Sequence, residues 1–215
     1  MLLWEPTVLE NLLFFSAATE FLRPQKGDIL FHGKPVSYKR KELLALRAKV
    51  GIVFQDPDKQ LFSASVEQEI SFGILNLGVA KEQARTEVEQ VMEELEIVPF
   101  RKRPVHALSG GQKKQVSIAD ILVMKPEIII LDEPAAALDP KHTLMVNRIV
   151  DRLTEQGITV LISTHDVDYA MAWADDVFSA EGRKSSDAWD SPAGILQPFR
   201  SGSHQSSAAR LPGII

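Results

Sequence analysis

Ile128-Ile129-Ile130-Leu131-Asp132-Glu133 is an apolar run closed by two carboxylates. Four consecutive β-preferring residues are the pattern of a parallel strand buried on both faces. Downstream, Asp139-Pro140 matches a helix N-cap and first helical position, and Gly157 is a natural terminator. Between them Leu144, Ile149, Val150 and Leu153 are expected to supply much of an inner face. Ile158 to Ile162 reads as a second buried strand, ending at Ser163-Thr164-His165. Strand, capped helix and strand within about thirty-five residues make a βαβ unit, normally right-handed. Both polar clusters fall at carboxyl ends of strands, where open α/β sheets bind ligands.

Upstream, Leu108-Ser109-Gly110-Gly111-Gln112 opens another helical segment. Ser109 suits an N-cap, and the two glycines expose backbone N–H groups and a positive helix end to an anion such as a terminal phosphate. A plain capping box needs only Ser and Gln three apart. Glycines that lower helix propensity therefore predict close backbone approach to something else. From Gln112 to Met124, Val116, Ala119 and Val123 share one side. Between Val79 and Glu96, Ala84, Val88, Val91, Met92 and Leu95 recur at helical spacing. With Ser65 to Leu77 this segment forms a helical lobe inserted into the α/β core. Ile29 to Phe31 reads as a short strand after the turn Pro24-Gln25-Lys26-Gly27. Val50 to Phe54 is another, and it runs into Gln55-Asp56-Pro57-Asp58-Lys59-Gln60, where proline and paired acids favour a loop.

The 215 residues are 45% apolar and 25% charged, an ordinary globular balance for one α/β domain with a small lobe. A net charge of −5 and the lack of a basic stripe set nucleic acid aside as a partner. With no cysteine there is no disulfide, thiolate catalysis or cysteine metal site. No apolar run reaches the roughly eighteen residues that a membrane span needs. Leu9 to Leu22 is broken by Glu10, Asn11, Thr19 and Glu20, and its acidic start does not suit a signal peptide. From Arg183 to Ile215 thirteen residues are Ser, Gly or Pro, which predicts an irregular, flexible tail over 183–215.

The chemistry follows from residue type and place. Asp132 is a hard oxygen ligand for Mg²⁺, and Glu133 beside it is placed to take a proton from an attacking water. Alone, an acidic pair reads equally as a solvated strand end. His165, at the end of the next strand, reads either as a partner for a γ-phosphate or its water, or as a helix-cap partner beside Asp166. Gln55 is a candidate metal ligand or water holder, or a plain turn residue. Asp139 is a cap that can also reach across a dimer interface. One expected companion is missing: no Gly-x-x-x-x-Gly-Lys-Ser/Thr segment occurs in the 215 residues.

Together these motifs resemble the nucleotide-binding subunit of ATP-binding cassette (ABC) transporters, nearest the cobalt/nickel and energy-coupling-factor importer ATPases. The resemblance runs from about Pro24 to Asp176. It identifies Leu108 to Val116 with the signature segment, Val53 to Val66 with a long-form glutamine loop, and Ile128 to Glu133 with the Walker B strand and base. Ala137-Leu138-Asp139-Pro140 corresponds to the D-loop and His165 to the switch histidine. The implied fold is a P-loop NTPase-like α/β core with an inserted helical subdomain at about 63–120, the ATPase-like domain covering 1–182 and incomplete at both ends. The implied cofactors are ATP and Mg²⁺. Glu133, His165 and Gln55 would be catalytic, and Asp132 and Gln55 would hold the metal. Ser109, Gly110, Gly111, Gln112 and Asp139 would face the nucleotide. The implied partners are a second ATPase subunit, in a homo- or heterodimer, and a transmembrane transporter subunit that meets the lobe around Phe62 to Leu77. The place is the cytoplasmic face of the cell membrane. A DNA-repair or ribosome-associated cassette fits less well, for lack of coiled-coil or basic insertions.

The departures lie at the two ends. Counting back without gaps from Pro24-Gln25-Lys26-Gly27, the phosphate-loop lysine falls near Asn11, followed by Leu12 and Leu13. The N-terminus is expected to be too short for the family's first strand and turn. After Asp176 the expected final strand is broken, Val177-Phe178 being followed by Ser179-Ala180-Glu181. Losing four or five charge-assisted hydrogen bonds from a phosphate cradle removes more than about 6 kcal/mol, whereas millimolar binding represents only about 4 kcal/mol. ATP is therefore expected to bind this chain alone only weakly, and the isolated chain to hydrolyse none above background. The alternative to a working ATPase is a non-catalytic structural or regulatory partner that lends its signature turn to an intact paralogue.

Overall fold

The computed structural model describes residues 2–4, 29–166, 170, 173–179 and 199–200. In chain order the strands are β1 Leu2–Trp4, β2 Leu30–Phe31, β3 Lys34–Pro35, β4 Val50–Val53, β5 Ile128–Asp132, β6 Thr159–Ser163, β7 Asp176–Ser179 and β8 Phe199–Arg200. The helices are α1 Arg40–Arg47, α2 Val66–Asn76, α3 Lys81–Glu94, α4 Gly110–Leu122 and α5 Pro140–Glu155. Among the described residues no helix is long and apolar enough to cross a membrane.

The main sheet has the order β4-β5-β6-β1-β7-β8; β2 and β3 form a separate antiparallel pair. Pairing is parallel from β4 through to β7, and only β8 runs antiparallel. The apolar run at 128–131 behaves as a strand covered on both faces should. Ile129 and Leu131 belong to the large core that also holds Val146 and Leu153 of α5, while Ile130 joins Val50 in a smaller cluster on the opposite face. The large core continues without interruption into the helical lobe through Ile70, Val88, Met92, Val116 and Ala119. Gly51 allows this union: a Cβ there would lie 2.0 Å from Cγ2 of Ile121, so α4 packs directly on the β4 backbone.

The βαβ unit at 128–163 forms as expected, with Asp139 capping α5 by accepting from the His142 N–H at 3.0 Å. The expected inner face needs one correction. Leu144 is 41% exposed, and Val146, fully buried, packs inward instead. The two departures expected at the ends of the resemblance need another. A strand at Leu2–Trp4 lies between β6 and β7, and Asp176–Ser179 is itself a strand despite its broken pattern. Pairing with neighbours on both sides supplies the backbone partners that a short, weakly patterned strand needs. Most of the expected tail, apart from Phe199–Arg200, lies outside the described residues, as do Asn11, Leu12 and Leu13.

Candidate functional site

Three neighbouring parallel strands end on one edge, and register decides what meets there. Val53 of β4 pairs with Leu131, and Asp132 pairs with Ser163 of β6. Phe54 and Gln55 therefore leave β4 beside Asp132 and Glu133, which in turn lie beside Thr164 and His165. The Ser163 hydroxyl donates to Asp132 Oδ1 at 2.5 Å. Glu133 is held more closely: its Oε1 accepts from the His165 N–H at 2.8 Å and lies 2.6 Å from His165 Nδ1, and its Oε2 accepts from the Thr164 hydroxyl at 3.2 Å. Its own N–H donates to the Ser163 carbonyl at 3.0 Å. Glu133 adopts φ 42°, a left-handed conformation that L side chains rarely take, held here by these surrounding bonds. Hydrogen bonding to Glu133, and then its charge, raise the His165 pKa above the usual histidine value.

Asp132, Glu133 and His165 are thus brought together as the spacing predicts. Among the described residues no group of three or more His, Asp or Glu side chains could hold a metal unaided. A Mg²⁺ site of one or two carboxylates completed by substrate phosphates and water would need no such group, and at this edge Asp132 has one oxygen engaged, by Ser163. The Gln55 side chain is exposed, and its main-chain carbonyl accepts from Lys114 Nζ at 2.9 Å.

The second group sits at the start of α4. Ser109 Oγ accepts from the Gln112 N–H at 3.3 Å, and Gln112 Oε1 accepts from the Ser109 N–H at 3.1 Å. The capping box is therefore complete. The two glycines behave differently. A Cβ at Gly110 would meet nothing within 4 Å, whereas one at Gly111 would lie 1.9 Å from Cδ2 of His142. The close approach expected at both glycines is realised at Gly111 by a side chain of this same chain. His142 is fixed in turn by Asp139, with Nδ1 2.6 Å from Oδ2. Backbone and side-chain hydrogen bonds from His142 hold the Asp139 carboxyl below its usual range. Asp139 and the Ser109–Gln112 turn, distant in sequence, are joined through this histidine.

Sequence reasoning missed three residues of this region: His142, the buried Lys114, and Gln60, whose Nε2 donates to the Ser117 carbonyl at 2.9 Å. Gly111 gave half a signal, since it announced a close neighbour without naming it. Lys113-Lys114 reads as a solvated basic pair, and nothing in the sequence marks one of the two as buried.

Comparison with known proteins gives the family. The ABC transporter family pattern matches residues 13–136. The energy-coupling factor transporter ATP-binding protein EcfA of Methanocaldococcus jannaschii is 46% identical over 157 residues, 73% of this chain and 56% of that protein. EcfA2 of Clostridium perfringens is 46% identical over 164 residues, 75% of this chain and 58% of that protein. This chain thus spans between 56% and 58% of the length of these two relatives. Among solved structures, cbiO1 of Clostridium perfringens, described as part of the ABC transporter complex cbiONQ, is 41% identical with a TM-score of 0.75, over 83% of this chain and 71% of that one. A dimeric ATP-binding cassette bound to ADP and Pi, 23% identical with a TM-score of 0.73, shares the fold over 83% of this chain and 79% of its own.

Proposed function

This chain belongs to the ABC transporter family, and from that premise we propose that it is the ATP-binding subunit of an energy-coupling-factor-type importer of cobalt or nickel. Its place is the cytoplasmic face of the membrane. It works as one member of a pair of ATPase subunits, and its signature turn completes the partner's nucleotide site. The observation that carries the reading is the Glu133–His165 contact at adjoining strand ends, on the same edge as Asp132 and the glutamine loop.

In this reading Glu133 is the base for the attacking water, and His165 holds that carboxylate in position through its ring and its main-chain N–H. Asp132 and Gln55 are the oxygen donors toward Mg²⁺, which would spread charge from the transferred phosphoryl group. Ser109, Gly110, Gly111 and Gln112 present the helix end to the partner's nucleotide, with Asp139 beside them. A docking face for the transmembrane subunit is supported by exposed aromatics on the lobe. Phe62 is 66% exposed and stacks edge-on against Phe72, ring centroids 4.9 Å apart. The metal itself would be selected by the membrane or capture subunits.

A second reading, a non-catalytic partner that lends its signature turn, is favoured by Asn11-Leu12-Leu13, which stand where the ungapped count from Gly27 puts the phosphate-loop lysine and the two residues after it. One experiment addresses both. The purified chain alone should hydrolyse no ATP above background, and an intact paralogous subunit should gain turnover on mixing. Magnesium-dependent turnover by the isolated chain that Glu133→Gln abolishes would establish it as an ATPase in its own right. Absence of both turnover by the isolated chain and any nucleotide-dependent association with the paralogue would defeat both readings.

A further inference from the structure

One face of α4 grips the glutamine loop at three points. Lys113 Nζ lies 2.5 Å from Asp58 Oδ1. Lys114 Nζ donates to the main-chain carbonyls of Phe54 at 2.8 Å and Gln55 at 2.9 Å. Gln60 Nε2 donates to the Ser117 carbonyl at 2.9 Å and to Asp120 Oδ2 at 3.3 Å, while Gln60 Oε1 accepts from the Phe54 N–H at 3.4 Å. Positions 113, 114, 117 and 120 share a helical face, so the loop lies along the helix rather than touching it once.

The three grips differ in kind. The Asp58 side of the first is exposed, and such pairs contribute little. Lys114 is 1% exposed. An ammonium taken out of water is tolerated only where hydrogen bonds and opposite charge meet it. Here two carbonyls supply the hydrogen bonds, and Asp132 and Asp56 supply the charge. A methionine would fill the same volume without the desolvation cost, so packing alone does not account for the charge. What the charge touches is the backbone at the start of the loop.

We propose that Lys114 is a positioning residue for Gln55: its ammonium pins the main chain of Phe54 and Gln55 to the helix that begins at Ser109, so that the glutamine and the signature turn move as one unit. The consequence for catalysis rests on the role proposed above for Gln55, while the staple itself does not. Any displacement of the loop toward or away from a nucleotide is carried along α4 to the turn that faces the opposite site.

Hydrogen exchange on the full chain without nucleotide reads the staple alone. Within the loop the N–H groups of Asp58, Lys59, Gln60 and Leu61 donate to Asp56 Oδ1, the Asp56 carbonyl and, for the last two, the Pro57 carbonyl. Lys114→Met is expected to speed exchange of these amides on the order of tenfold while those of β5 and α5 keep wild-type rates. Lys114→Gln, which keeps a donor, should restore most of the protection. Wild-type exchange in the loop of the Met variant, or acceleration spread evenly over β5 and α5, would overturn the assignment and leave Lys114 as core filling. Should the Met variant not fold, amine acylation of the wild-type chain decides: Lys114 should react at least about tenfold slower than exposed Lys141, and equal rates would overturn the staple. Binding of MgATP to the wild-type chain together with its paralogue is measured separately, so failure of the functional reading is seen apart from failure of the staple.

Discussion

The carboxylate end of β5 and the signature turn of α4 differ in what their polar groups already hold. At β5, Glu133 is engaged on both oxygens by Thr164 and His165, and Asp132 accepts from Ser163. At the turn, the capping box occupies the amides of Ser109 and Gln112, leaving those of Gly110 and Gly111 as the first-turn donors without helical partners. In the first region Glu133 is the occupied group, so a water engaging it must share or exchange bonds already made, while Asp132 has one oxygen, Oδ1, engaged. The second is a fixed scaffold with one open side, at Gly110, and one blocked side, at Gly111. An open donor set on a rigid frame suits a ligand brought by another molecule. An occupied carboxylate such as Glu133 suits a water that takes over a bond from a present partner.

Substitutions can break or sharpen this contrast. The largest effect is expected from Gly110→Asp, whose Cβ would meet nothing within 4 Å and whose carboxylate stands before any incoming phosphate. Turnover gained by an intact paralogue should fall on the order of 100-fold, with thermal unfolding of the chain unchanged. Unaltered turnover would remove the turn from the composite site. Gly111→Ala should do the reverse, lowering stability by about 1–3 kcal/mol in denaturant through collision with His142. Adding His142→Ala should recover much of that loss, whereas strictly additive losses would mean the two do not collide.

The titrations are smaller. Folding holds Lys114 at about 8 against a free value of 10.5, so unfolding takes up a proton between those pH values. Wild-type stability relative to Lys114→Met should therefore rise with pH across that window, by on the order of 1–3 kcal/mol. A flat difference would mean that the ammonium is already hydrated. His165 runs the other way. Its folded pKa is raised by Glu133, so its stabilising pairing is present in full below the free value of 6.5 and fades as pH passes the raised value. Because the ring is exposed, the wild-type advantage over His165→Ala should shrink by no more than about 1 kcal/mol between roughly pH 5.5 and 8.5.

The sheet was legible where apolar runs are long and capped. Ile128 to Leu131, the Asp139-Pro140 start and Ile158 to Ile162 each announce their element within a residue or two of its bounds. The lobe was legible from period alone, since Ala84, Val88, Val91, Met92 and Leu95 are all buried. Leu144 misled because it falls just off the buried stripe of α5, where Val146 and Ile149 fit better. Leu2–Trp4 and Asp176–Ser179 were not foreseen because three or four residues carry no period, and their strand character comes from neighbours distant in the chain. Asp132, Glu133 and His165 could be read as a group because parallel strands align their ends. The contacts of Lys114 and His142 could not, because each depends on how α4 sits against a loop or a second helix.

Strand β1 has a consequence for how the chain is made. It pairs with β6 at Ile162 and Ser163 and with β7 at Val177 to Ser179, so it is bridged to segments synthesised long after it. The inner part of the sheet, β4 to β6, can assemble without it, but β7 and β8 reach that part only through β1. Pairings across so many intervening residues carry a large loop-closure cost and come late. The emerging polypeptide must therefore keep Leu2–Trp4 unspent, exposed to chaperones and to wrong partners, until the ribosome has delivered both of its neighbours.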